Sequence, residues 1–353
     1  MVFGVFLGGV VLLALGYLFY GRVVSRWIGV DETRPTPAHS LRDDVDYVPT
    51  AVPVLFGHHF SSIAGAAPIV GPIVAAMWFG WLPAVIWIVL GAVFIGGVHD
   101  YSTLMASIRH GGRSIGEVCR DYLSPVTYKA FLAFIWLCLV YVLVVFMDLT
   151  AATFTAKGGG TDYALGGAVA TSSMFYIAIA LAFGLFLRVK KSVLAGSLIF
   201  VPLVFIAIYV GLKLPFTADI LPAPFHGDPK YTWCLILLAY CYIASITPVN
   251  VLLQPRDYLS SFLLYACLIG GGLGLVVATV SGAVGAGGTE FPAFLGWYKN
   301  AEQQTGFIFP LLFITIACGA VSGFHCVVAS GTTAKQLPTE KAAKPVAFGG
   351  MIV

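Results

Sequence analysis

Two adjacent histidines and two serines, His58-His59 and Ser61-Ser62, lie in a 48-residue run, Ala51 to Val98, that holds no Asp, Glu, Lys or Arg. A histidine whose pKa stands near 6.5 takes up and releases a proton at cellular pH, and its imidazolium form pairs with a carboxylate. An ionisable group inside a membrane is a functional candidate by default. Neighbouring residues on a helix point about 100° apart, so only one of the two rings can face a given site, and spacing does not say which. The plainer reading is a ring hydrogen-bonded to a nearby carbonyl. Such carbonyls are expected just downstream, where Gly65, Ala66, Pro68 and then Pro72 follow. The two prolines lack N–H groups, so the carbonyls of Ala64 and Pro68 lose their helical partners. In hydrocarbon a bare carbonyl costs several kcal/mol, so this backbone must line a buried or water-filled site. Interrupted helices near the bilayer midplane are how secondary transporters hold ions and small solutes.

Asp100 lies farther along in the inner third of the next apolar stretch. It reads as a proton relay or cation ligand, or as a partner of Arg109 or Arg113 near the interface. Asp148 lies near the outer end of its own stretch, where interfacial water solvates it. A second interruption is expected around Ser245, Thr247, Pro248 and Asn250; alone it reads equally well as a proline kink, which membrane helices tolerate. A third polar cluster runs through Ser322, Gly323, Phe324 and His325 to Ser330, Gly331, Thr332 and Thr333. Its hydroxyls could complete a cation site with the carbonyls of the first break, or bond the preceding helical turn.

The elements that must position these groups follow from composition. Hydrophobic residues make up 59% of the 353-residue chain and charged residues 10%, with mean hydropathy +0.92. Soluble domains carry about 25% charge. The chain reads as an all-α polytopic membrane protein. Nine crossings are expected, near 1–20, 52–78, 81–108, 125–150, 171–187, 192–212, 231–252, 257–282 and 305–330. With the N-terminus outside, fifteen of the 19 Lys and Arg residues fall on inner segments, the positive-inside pattern. Residues 1–20 form an N-terminal membrane helix with no signal-peptide features, 21–50 a charged cytoplasmic linker, and 51–353 the core. The first and second breaks fall five helices apart, on helices of opposite direction, as an inverted repeat requires. Residues 112–124 read as a short interfacial helix capped by Ser114, with Glu117 three residues on. Most of the seven cysteines lie in apolar spans and read as small buried hydrophobes. The run Gly270-Gly271-Gly272-Leu273-Gly274 reads as close helix packing rather than nucleotide binding.

Four stretches carry a resemblance: RPTPAHSLRDDVDYVPT at 34–50, VLFGHHFSSIAGAAPIVGPIVAAMWFGWLP at 54–83, PRDYLSSFL at 255–263 and ACGAVSGFHCVVASGTT at 317–333. Together the chain resembles the carbon starvation protein A family, grouped with the amino acid–polyamine–organocation superfamily. The resemblance implies an inner-membrane transporter of bacteria or archaea, importing peptides or, in some members, pyruvate with protons, in response to carbon starvation. It implies a core of five plus five inverted helices, with the second crossing as core helix one and the seventh as core helix six, both broken. In sodium-coupled superfamily members core helices one and eight share a cation site, which here points to Ala64 and to Ser330, Thr332 and Thr333. Family chains continue past residue 353, so the last core helices are expected to be missing from this chain. His99 is an unusual choice before the aspartate, and Asp100 carries more weight.

The leading expectation is therefore a carrier, not an enzyme. His58, His59, Ser61, Ser62, Gly65, Ala66, Pro68, Ser245, Thr247, Asn250 and His325 would bind substrate. Asp100, His58, Ala64, Ser330, Thr332 and Thr333 would couple a proton or a sodium ion. No cofactor, metal or nucleic acid is expected. A channel or nutrient-sensing membrane subunit is the alternative. An intramembrane metalloenzyme using His58, His59, His99 and His325 is weaker, because no helical i, i+4 ligand pair occurs.

Overall fold

The computed structural model describes residues 2–156, 165–190, 192–216, 228–248, 251–282, 291–300, 302–321 and 323–353. Among them are eight helices long and apolar enough to cross a membrane, and nine when one bent pair counts as a single span. In chain order these elements are α1 (Val2–Ile28), the bent pair α2 (Val52–Ile63) and α3 (Ala66–Phe79), and α4 (Trp81–Arg109). The short helix α5 (Ile115–Arg120) precedes α6 (Pro125–Phe154), α7 (Leu165–Lys190), α8 (Val193–Lys213), α9 (Pro229–Ile246) and α10 (Leu253–Val280). The last span, Ile308–Lys335, holds α11 (Ile308–Ala320) and α12 (Gly323–Gly331). A small antiparallel hairpin, Tyr298–Asn300 with Thr305–Phe307, precedes it where only a loop was expected. Large apolar side chains stand exposed along the spans, as Phe134, Trp136 and Tyr141 do on α6; they suit a lipid surroundings, where burial in protein is not needed.

Two compact units divide the chain: Met1–Ser124 with Leu263–Val353, and Pro125–Phe262. In the first, Tyr101, Leu104, Met105 and Ile108 of α4 pack with Leu55 of α2, Ala329 of α12 and Leu337, Val346 and Phe348 beyond it. A second cluster joins Ala75 and Phe79 of α3 to Ile308, Leu312, Ile316 and Ala320 of α11. The α3–α11 contact depends on two glycines. A Cβ on Gly71 would lie 2.3 Å from the Thr315 carbonyl oxygen, and one on Gly319 would lie 3.3 Å from the Pro68 Cα. In the second unit α7 and α8 pack along each other, and Trp233 of α9 meets Phe154 of α6. There Arg256 donates to Asp257 at 2.8 Å and to the Tyr240 hydroxyl at 3.3 Å.

Several expectations shift. The first helix continues through Ile28, so Arg22 and Arg26 ride on it and the linker begins at Gly29. In that linker Asp43 accepts from the N–H groups of Val45, Tyr47 and Asp46, which holds its carboxyl below the usual carboxylate range. That contribution is present above the ordinary pKa and is lost as pH falls through the lowered one. A short helix is present within residues 112–124, Ile115–Arg120, and Ser114 accepts the Glu117 N–H at its start. The glycine run at 270–274 does not pack closely: a Cβ on Gly270, Gly271 or Gly274 would meet nothing within 4 Å. Of the cysteines only Cys326 is buried, while Cys138 and Cys267 are exposed.

The second interruption lies at the end of a span rather than inside one. Helix α9 stops at Ile246, and Thr247 is extended at φ −83, ψ 135. Steric pressure from the following Pro248 pushes that residue out of the helical region. Asn250 lies outside the described residues. The ninth crossing holds an interruption that was not expected, at Val321 with φ −139 and ψ 15.

Candidate functional site

Helices α2 and α3 meet at a 46° bend. The break is made by Ala64 (φ −78, ψ 49) and Gly65 (φ −77, ψ −175), upstream of both prolines. Pro68 sits in the first turn of α3, where a missing N–H has no helical partner to disappoint. Pro72 lies inside α3 and does strip the Pro68 carbonyl of its partner. That carbonyl faces the glycine side of α11, 3.4 Å from where a Gly319 Cβ would stand. It is therefore packed against protein on that side rather than against lipid.

The chemistry sits one turn before the bend. His59 places Nε2 2.6 Å from Oδ2 of Asp100 on α4, and Nδ1 3.1 Å from the Thr333 hydroxyl just past α12. All three side chains are at most 1% exposed. Asp100 is therefore held by His59. Arg109 turns to Glu340 and to the Ile28 and Gly29 carbonyls, and Arg113 to Asp121. A 2.6 Å contact to a carboxylate is the short, charge-assisted kind. The Thr333 hydroxyl donates to Nδ1 when the ring is neutral and accepts from it when the ring is an imidazolium. The cluster can thus gain or lose a proton without losing a contact. Asp100 Oδ1 is buried with no hydrogen-bond partner among the described residues, which leaves a second lone-pair site for a proton.

The other expected residues fall around this core. His58 is also buried, and its carbonyl accepts from the Ser62 hydroxyl at 3.0 Å. Ser61 is half-buried on α2. His325 on α12 is buried and hydrogen-bonds the Ser62 backbone, tying the break at Val321 to the break at Ala64. Ala66 is exposed and Pro68 half-buried. Ser330 bonds the Cys326 carbonyl at 2.7 Å and accepts the Ile115 N–H, so it anchors α5. Thr332 bonds the preceding turn at the Val328 carbonyl. Ser245 and Thr247 do the same at Tyr242 and Ile243 in the second unit. Asp148 pairs with Lys230 at 2.7 Å on an exposed surface. Such a pair adds little stability.

Sequence reasoning missed three neighbours. The Cys326 thiol lies 2.9 Å from His99 Nε2, and the Thr103 hydroxyl lies 3.2 Å from its sulfur. A Cβ on Gly350 would stand 3.3 Å from the His59 ring. None of these carries a local signal, since each is brought in by packing between distant helices. No group of three His, Cys, Asp or Glu side chains able to hold a metal occurs among the described residues.

The family model for carbon starvation protein CstA matches residues 2–353. The chain belongs to the CstA family. Peptide transporter CstA of Bacillus subtilis is 37% identical over 97% of this chain and 54% of its own length. Peptide transporter CstA of Escherichia coli is 37% identical over 98% of this chain and 47% of its own. The pyruvate/proton symporter BtsT of Escherichia coli is 34% identical over 96% and 45%. The chain thus spans about half the length of these curated CstA-family relatives. No solved structure matches it.

Proposed function

We propose that this CstA-family chain belongs to a secondary transporter that carries a peptide or pyruvate across a bacterial or archaeal inner membrane, N-terminus outside, with proton coupling. The observation that carries the reading is the buried His59–Asp100–Thr333 cluster beside the bend of the second crossing. Ionisable side chains withdrawn from water inside a membrane are costly and need a reason to persist. Alternating protonation supplies one, and the relatives' names, peptide transporter and pyruvate/proton symporter, supply the substrate classes. His59 and Asp100 share the coupling proton, Thr333 holds the ring in either state, and the backbone around Ala64, Gly65 and His325 lines the substrate path. In this reading the chain does no covalent chemistry.

The test is uptake of radiolabelled pyruvate and of dipeptides into proteoliposomes, with and without an acid-outside gradient. Saturable uptake that the gradient accelerates is expected. Flux that neither saturates nor responds to the gradient would favour a channel and end the proposal. A narrower expectation concerns Thr333. Thr333→Val removes a hydrogen bond to a buried ring, worth about 1–3 kcal/mol, so gradient-driven uptake drops by about tenfold. Its pH profile moves as well, while Thr333→Ser keeps both. An unchanged pH profile in Thr333→Val would remove this residue from the coupling site.

A further inference from the structure

Glu340 is a carboxylate with no exposed surface. Its Oε2 accepts the Asp31 N–H at 2.9 Å and an Arg109 N–H at 3.4 Å, while Oε1 accepts from Arg34 at 3.2 Å. Arg109 also donates to the carbonyls of Ile28 and Gly29 at 2.9 and 2.7 Å. One side chain therefore binds together the end of α1, the linker after it and the end of α4. The strap that bears Glu340 starts at Thr333, the residue against His59. Between the two, the Lys335 ammonium reaches Asp46, the Gln336 carbonyl accepts the Thr50 N–H, and the Leu337 carbonyl accepts the Thr36 hydroxyl at 2.7 Å. Thr36, Leu337 and Gln336 are buried with it. The first unit is thus closed, at the end where Arg34 and Arg109 lie, by a strap whose far end touches the His59–Asp100 pair.

A buried carboxylate is held by its partners, and removing one leaves its charge less compensated. Two-position closures in proteins are built on discrete packed contacts of this kind. We propose that Glu340 is a positioning residue of the transport cycle: with Arg34 and Arg109 it locks this end of the first unit, and its release frees the strap and opens a path to His59 and Asp100. The inference rests on the coupling role proposed for that pair.

The test measures access and needs neither substrate nor gradient, so it fails or succeeds separately from the transport reading. The test uses a variant in which the other six cysteines are replaced, leaving Cys326, buried beside His99, the residue before Asp100, as the labelling target. A membrane-impermeant methanethiosulfonate is applied to sealed vesicles of either orientation. In Glu340→Gln the labelling rate from the Arg34–Arg109 side is expected to rise at least about tenfold, the change that 1.4 kcal/mol of lost closure brings. The rate from the opposite side stays unchanged. Arg34→Gln and Arg109→Gln, which keep one arm of the cluster, act in the same direction and stand in should Glu340→Gln not fold. Unchanged labelling in all three single variants, or faster labelling from the opposite side alone, would overturn the proposal and leave Glu340 a purely structural ion.

Discussion

Asp100→Asn is expected to reduce gradient-driven uptake by about 100-fold or more while leaving substrate exchange in the absence of a gradient largely intact. The amide keeps the shape of the carboxylate and can still contact His59, but it offers no titrating oxygen. Each 1.4 kcal/mol of lost coupling is tenfold in driven uptake, so a loss of two decades corresponds to about 2.8 kcal/mol. The split between driven uptake and exchange is the informative part. A purely structural Asp100 would lose both together, because α4 and α2 would separate. A mutant that still concentrates substrate with an acid-outside gradient would show that the proton travels elsewhere. Asp100→Glu is the companion variant, since it restores the charge with one extra methylene in a packed site.

The second large effect is on the fold that holds this pair in place. Gly71→Leu is expected to abolish monodisperse, folded protein in detergent, and Gly71→Ala to lower its melting midpoint. A Cβ at position 71 would stand 2.3 Å from the Thr315 carbonyl oxygen, a distance that no rotamer change relieves because both sides are backbone. Helices α3 and α11 would have to move apart. Overpacking of this kind costs typically 1–3 kcal/mol for small additions and more for large ones. Close approach through small residues is how membrane helices gain van der Waals contact where the hydrophobic effect is absent. Gly270→Ala serves as the control, because its Cβ would meet nothing within 4 Å. Equal midpoints for the Gly71→Ala and Gly270→Ala proteins would refute the packing argument.

Much of this architecture was legible before any coordinates. Spans are readable because hydrocarbon demands about 20 apolar residues in a row, a constraint that leaves a mark wherever it acts. All nine expected crossings correspond to helices, with α2 and α3 together making the second. The types of the central residues were legible too, since His59 and Asp100 stand out in an uncharged background. Their pairing was not. It joins residues 41 apart, and the Thr333 contact joins residues 274 apart, so both are set by how helices pack. Proline marked the neighbourhood of the two expected breaks but not their positions. At the first, Pro68 tolerates a helical start and the bend moved to Ala64–Gly65; at the second, Pro248 ended a helix outright. The break at Val321 has no proline to announce it. Nothing local to Glu340 shows that two arginines 231 and 306 residues earlier fold over it.

The 274-residue separation between His59 and Thr333 also bears on biosynthesis. A ribosome adding about 5–20 residues per second needs roughly 15–55 s to pass from one to the other. During that interval the nascent second span already sits in the bilayer while the hydroxyl that will hold its imidazole has yet to be translated. Until then the ring nitrogen must rely on water, lipid headgroups or an insertion factor for a temporary partner. Slowing elongation between the fourth and ninth spans would lengthen that exposed period, and the accumulation of protease-sensitive chains should rise in proportion.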